Sequence, residues 1–194
     1  IGANGMLITF AMTLGVAVLA VICLLSIGKF FVKGFEFWPP PSPDSWQHSV
    51  FRWLFRVFFV TLIVLSVLDF QSGSVWRYLI GAALFLVGFG LAVHWTGFLG
   101  WRDAFGDPTT LRSTGPFAWS RNPIYVVSIV GMVGWGLAIG STNVSVLLAA
   151  WAALYIAAPF LEEPWLARQF GLEFSNYKDR VPRYFRIRGK AQNR

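Results

Sequence analysis

Residues 122–161 read NPIYVVSIVGMVGWGLAIGSTNVSVLLAAWAALYIAAPFL, from Asn122 to Leu161, forty consecutive positions without an Asp, Glu, Lys or Arg. One crossing of about 30 Å of hydrocarbon takes roughly 20 helical residues, so the run is too long for a single span. Gly140-Ser141-Thr142-Asn143 interrupts it with turn-forming residues. The reading is a tight helical hairpin with two arms of 17–18 residues each.

The rest of the chain has the same character. Residues 1–28 carry no charge, and Met6 to Ile27 is long enough to cross. A signal peptide is the competing reading of this segment. It lacks a basic leading region and runs on into Lys29, Lys33 and bulky aromatics, so a true span is expected. Val50 to Asp69 spans if Arg52 and Arg56 snorkel toward an interface. Tyr78 to Trp101 spans with one polar interruption, His94-Trp95-Thr96. The expectation is an all-α integral membrane protein with five transmembrane helices, helices 4 and 5 forming the hairpin.

Composition agrees. Of the 194 residues, 56% are hydrophobic and 13% charged, against about 25% charged in a soluble domain. Mean hydropathy is +0.58. A water-soluble domain, a disordered tail and a disulfide scaffold are excluded, and the lone Cys23 has no partner. The net charge of +7 marks a membrane face rather than nucleic acid, because the basic residues stand between apolar runs. Lys29, Lys33, Arg52, Arg56, Arg102, Arg112, Arg121 and the C-terminal tail fall on one side, whereas 140–143 has no basic residue and 69–77 only Arg77. The positive-inside rule then places the tail in the cytoplasm and the N-terminus outside.

Two regions follow: 1–75, two helices joined by a proline-rich interfacial loop, and 76–194, three helices and a basic tail. The loop at 37–46, with Trp38 and Trp46 at its ends, reads as resting at the interface; the other reading is a lip over a lipid entrance. Trp38, Trp46, Trp53, Trp76, Trp101, Trp119 and Trp165 fall near span ends, as an aromatic belt would. Ala11-x-x-x-Gly15 and Gly136-x-x-x-Gly140 suit close helix packing. The tail 180–194 carries six basic residues and one acid-free run after Asp179, which suits anionic lipid headgroups.

Chemistry is expected where the scarce charge collects. An antiparallel hairpin brings Arg121, before its first helix, next to Glu162 and Glu163, after its second. Ser120 or Asn122 could cap the helix starting at Pro123, whose free N–H groups favour an anion.

Gly115-Pro116-Phe117, Arg121-Asn122-Pro123-Ile124-Tyr125, Glu162-Glu163, Phe170-Gly171 and Tyr177-Lys178-Asp179-Arg180-Val181-Pro182 stand in the order and spacing of one family. Over residues 80–185 the chain resembles the isoprenylcysteine carboxyl methyltransferases, integral membrane enzymes related to the phospholipid methyltransferases, and its five spans suggest a compact prokaryotic-type member. The resemblance implies an S-adenosylmethionine-dependent methyltransferase, releasing S-adenosylhomocysteine, with its site facing the cytoplasm and a lipid-like or prenylated acceptor entering from the membrane. No G-x-G-x-x-G motif of a Rossmann fold is present. The resemblance also implies that Leu111, Gly115, Phe117, Arg121, Asn122, Pro123, Tyr125, Glu162 and Glu163 bind the cofactor. His94 is a further pocket candidate, or a histidine satisfied between helices. Arg121 and Glu163 are the expected catalytic residues, with Arg121 holding a carboxylate of the acceptor or of the cofactor. No metal is expected. Two departures stand out: Asn122 occupies the place of the family's His, and Ala157-Ala158-Pro159-Phe160-Leu161 lacks the basic residues that eukaryotic relatives carry before the acidic pair.

The leading expectation is carboxyl O-methylation of an isoprenylcysteine-like substrate. The alternatives are N-methylation of an aminophospholipid, a nicotinamide-dependent membrane reductase and a non-enzymatic helical scaffold.

Overall fold

A computed structural model describes residues 2–104 and 110–185. Among these residues the secondary structure is helical throughout: α1 (Ala3–Ile27), α2 (Trp46–Leu68), α3 (Val75–Leu99), a short α4 (Trp101–Ala104), α5 (Pro123–Ile139) and α6 (Thr142–Arg180), with single 3-10 turns at Gly28–Phe30 and Gly115–Ala118. Four of them, α1, α2, α3 and α6, are long and apolar enough to cross a membrane, and α5 at 17 residues is just shorter. The chain is thus an integral membrane protein built on apolar helices.

Local sequence sets the helix ends. Ser45, Ser74 and Ser141 cap α2, α3 and α6, each hydroxyl accepting an N–H of the first turn at 3.1–3.3 Å. Pro123 opens α5 at a position where its missing N–H costs nothing. Gly140 closes α5 in the left-handed conformation (φ 71°), its N–H bonded to the Gly136 carbonyl at 2.8 Å. The turn falls where the sequence suggests but is shorter, Gly140 and Ser141 making it while Thr142 and Asn143 open α6.

α6 differs from the expected hairpin arm. It does not stop at Leu161 but runs through Pro159 and Pro164 to Arg180, breaking only at Gly171 (φ 51°, ψ −122°), a conformation open mainly to glycine. Beyond that break Phe174, Tyr177 and Val181 gather with Phe117 into a small second core.

The main core draws on α1, α2, α5 and α6, with the rings of Phe58 and Trp151 at 5.5 Å. The N-terminal and C-terminal stretches thus share one packed interior. The tightest seam is between α3 and α5, where a Cβ on Gly88 would lie 2.2 Å from the Gly131 nitrogen and one on Gly134 would lie 2.3 Å from the Phe85 nitrogen. Backbones touch there because neither position has a side chain.

Two ends are distinct. At one, Asp69 accepts from the Ser141 hydroxyl and from Asn143 Nδ2 (3.0 Å), and Gln71 N–H donates to the Ile139 carbonyl at 3.0 Å. At the other, Lys29 Nζ donates to the Leu161 carbonyl at 2.8 Å and Arg121 meets Glu163. The 69–77 connection and the hairpin turn lie together, opposite the residues expected to form the site.

Candidate active site

A cavity of about 580 Å³ opens at the second end, walled by α2, the N-terminus of α5, the second half of α6 and the loop at 110–117. Its size lies within the usual range for small-molecule sites, about 300–1,000 Å³.

The acidic pair of α6 divides its work. Glu163 is buried between two arginines. Arg121 Nε and Nη2 donate to Glu163 Oε1 at 3.2 and 2.9 Å, and Arg183 Nε and Nη2 donate to Oε1 and Oε2 at 2.8 and 2.6 Å. Glu163 beside it holds the Arg183 guanidinium above its ordinary pKa. Arg121 Nη1 also donates to the carbonyls of Lys178 (2.9 Å) and Val181 (2.7 Å). This clasp ties the start of α5 to the end of α6 and to the segment after it. Ser120 Oγ and Asn122 Nδ2 both donate to the Arg183 carbonyl, at 3.2 and 3.1 Å, and Tyr177 donates to the Phe117 carbonyl at 2.7 Å.

Glu162, one residue earlier, faces the cavity. Its Oε1 accepts from Trp38 Nε1 at 2.7 Å and from the Tyr125 hydroxyl. Both bonds fall on the same oxygen, so Oε2 has no donor among the described residues. A carboxylate oxygen in an aromatic-walled cavity suits a cationic group.

Eight residues expected at the site line this cavity: Leu111, Phe117, Arg121, Asn122, Pro123, Tyr125, Glu162 and Glu163. Two of the expected residues stand outside this lining, and Arg121 is engaged by the protein itself. His94 is exposed and does not line the cavity. Ala92, Gly88 and Gly81 form the inward face of α3, and two residues beyond Ala92 the helix has turned by about 200°. Gly115 also lies outside the lining; it makes the turn (φ 58°) against the Phe98 ring. Arg121, expected to hold a ligand carboxylate, has its guanidinium committed to Glu163 and two carbonyls, so its place is in the clasp.

Asn122 occupies the cap position of α5 without capping it, because its amide is used on Arg183. The Ser120 hydroxyl instead accepts the Asn122 N–H at 3.1 Å. Arg183, assigned with the tail to lipid headgroups, belongs to the clasp; residues 186–194 lie outside the described residues.

Trp38, expected in the interfacial belt, is instead buried in the site wall, its ring 5.2 Å from Phe51 and 5.6 Å from Phe55. The proline-rich loop folds inward here, and Pro39 and Pro40 line the cavity with it. Only the position of Trp38 at the head of a Pro-Pro-Pro run hinted at a fixed rather than a loose loop.

The model of a family described as phospholipid methyltransferase matches residues 76–173. The nickel-cobalt-cadmium resistance protein NccN of Alcaligenes xylosoxydans xylosoxydans is 36% identical over 153 residues, covering 75% of this chain and 69% of that protein. The cobalt-zinc-cadmium resistance protein CzcN of Cupriavidus metallidurans is 38% identical over 77 residues, 39% of this chain and 35% of that protein. No solved structure matches the chain significantly.

Proposed function

The chain belongs to the phospholipid methyltransferase family, and on that premise we propose that it transfers a methyl group from S-adenosylmethionine to a lipid-like acceptor at the cytoplasmic membrane face. The observation that carries this reading is Glu162, held by Trp38 and Tyr125 with one carboxylate oxygen left to the cavity.

The residues fit such a cofactor. Glu162 Oε2 suits its ammonium, and the aromatic walls suit the adenine and the sulfonium face. The first-turn N–H groups of Ile124 and Tyr125 have no intrahelical acceptor and suit its carboxylate. Held by Glu162, the aromatic walls and the start of α5, the cofactor would supply a sulfonium-activated methyl group to the acceptor and would keep the electron pair of the broken C–S bond on sulfur. The chain's own task is to align the two reactants and exclude water. The Glu163 clasp fixes the α5 start and the α6 end relative to each other, and so fixes the two walls that such alignment needs.

For the acceptor, the first reading is a carboxylate of isoprenylcysteine type. It is ionised at neutral pH and needs no base. The second is the amine of an aminophospholipid, favoured by the family match. An ammonium must lose a proton before it attacks, so the rate would rise with pH through the amine's pKa, where a carboxylate acceptor gives a flat profile near neutrality. Carboxyl methylation removes a negative charge that attracts cations, and complete N-methylation removes the amine lone pair that ligates them. We connect any role in metal resistance, for which the relatives NccN and CzcN are named, to that change in headgroup chemistry.

The test is calorimetry of the purified chain in detergent with S-adenosylhomocysteine. Wild type gives a heat of binding, and Glu162→Gln weakens it at least tenfold while the protein melts as before. Well-folded wild type without a heat of binding overturns the reading and leaves the scaffold in its place; a heat with a nicotinamide cofactor instead points to the reductase.

A further inference from the structure

α2 carries two basic residues one turn apart on an otherwise apolar helix. The fold turns both toward the cavity, where Phe51, Arg52, Phe55, Arg56 and Phe59 form one wall. Arg56 lies about 15 Å along the helix from Trp46, ten residues at about 1.5 Å each. Phe58, two residues further, packs on Trp151 in the uncharged half of α6. An arginine at that depth is costly unless it lines a polar cavity or holds an anion. Among the described residues Arg56 has no carboxylate partner; its guanidinium lies over the Trp53 ring, 5.3 Å from the centroid. Arg121, another arginine of the cavity lining, is already neutralised by Glu163.

The two helices beside it do not pack closely on each other; Trp135 of α5 fills between them further along. α2 packs on α1 and α6, and α3 packs on α5, while α2 and α3 make few contacts with each other. They are joined only at the far end. On the cavity side Arg56 and Phe59 come from α2, and Thr96 and Leu99 from α3.

We propose that Arg56 is the headgroup anchor of the acceptor: it holds the anionic group, carboxylate or phosphate diester, of a lipid that enters sideways between α2 and α3 with its tail left in hydrocarbon. A guanidinium fork in a low-dielectric cavity binds either oxyanion through paired hydrogen bonds. This inference rests on the methyltransferase reading and names the chemistry that its acceptor shares.

Three probes test it on the full chain in detergent, with binding read by tryptophan fluorescence: N-acetyl-S-farnesylcysteine, phosphatidylethanolamine and headgroup-free farnesol. Arg56→Gln should weaken one or both headgroup-bearing probes at least tenfold and leave farnesol within twofold; which probe suffers identifies the source of the anion. Arg56→Lys should keep part of the binding, because the charge remains without the fork. The anchor is overturned if Arg56→Gln binds both headgroup probes like wild type, if farnesol is lost to the same degree, or if neither headgroup probe binds wild type. S-adenosylhomocysteine binding is measured in parallel and should match wild type within twofold. Its absence from both proteins, with the headgroup effect intact, would refute the methyltransferase reading and leave the anchor standing.

Discussion

At the scale of single residues, Arg121 spends its guanidinium on Glu163 Oε1 and on the carbonyls of Lys178 and Val181. Arg121→Ala removes all of these and leaves Glu163 with Arg183 as its sole ion-pair partner. Because Arg183 still neutralises Glu163, the loss is that of the charge-assisted hydrogen bonds alone, about 1–3 kcal/mol, and a lower melting temperature in detergent is expected. Arg121→Lys should recover only part of it, since one ammonium cannot span a carboxylate and two carbonyls. A residue that only held a ligand would leave the melting temperature alone and raise the KM of that ligand; that pattern would sink the clasp. The sequence made the meeting of Arg121 with Glu163 legible, because an antiparallel hairpin leaves those ends no choice. It could not divide the acidic pair into clasp and cavity oxygen. Glu162 is defined by Trp38, more than a hundred residues earlier, whose inward turn depends on packing against Phe51 and Phe55.

Among the elements, the α3–α5 seam decides where the site can form, since it fixes the start of α5. A Cβ at Gly88 would approach backbone atoms of Gly131, and backbone cannot move aside as a side chain can. Gly88→Ala must push the helices apart and should cost about 1–3 kcal/mol, read as a lowered melting temperature. Gly90, two residues on, has nothing within 4 Å of such a Cβ, and Gly90→Ala should melt at or slightly above wild type. Equal behaviour of the two variants would show that the seam is not close-packed. The small-residue pairs visible in the sequence serve other contacts: a Cβ on Gly15 would lie 2.6 Å from Leu147 Cδ1 and one on Gly136 3.3 Å from Ser145 Oγ, side chains rather than backbone. The seam's glycines are spaced seven apart on α3 and three apart on α5, and the pairing of those two helices is a tertiary choice that neither segment encodes alone.

For the whole molecule, the separation of charge between its ends becomes a claim about orientation. The end holding the cavity carries Lys29, Lys33, Arg112, Arg121 and Arg183, and the end holding the hairpin turn carries Arg77. Short basic connections tend to stay on the cytoplasmic side, so the orientation proposed above has the cavity facing the cytoplasm and the hairpin turn outside. Apolar runs made the helices legible, and the hydrogen bonds that Asp69 accepts from Ser141 and Asn143 show the two connections poorest in basic residues gathered at one end. Cysteine labelling tests the direction. In a Cys23→Ser background, Ser72→Cys lies on an exposed connection at the hairpin-turn end and Ser42→Cys on the exposed loop at the cavity end. A membrane-impermeant maleimide added to intact cells should label Ser72→Cys and reach Ser42→Cys only after permeabilisation. The opposite pattern would put the cavity outside, beyond reach of the cytoplasmic cofactor pool, and would refute the proposed reaction along with the orientation.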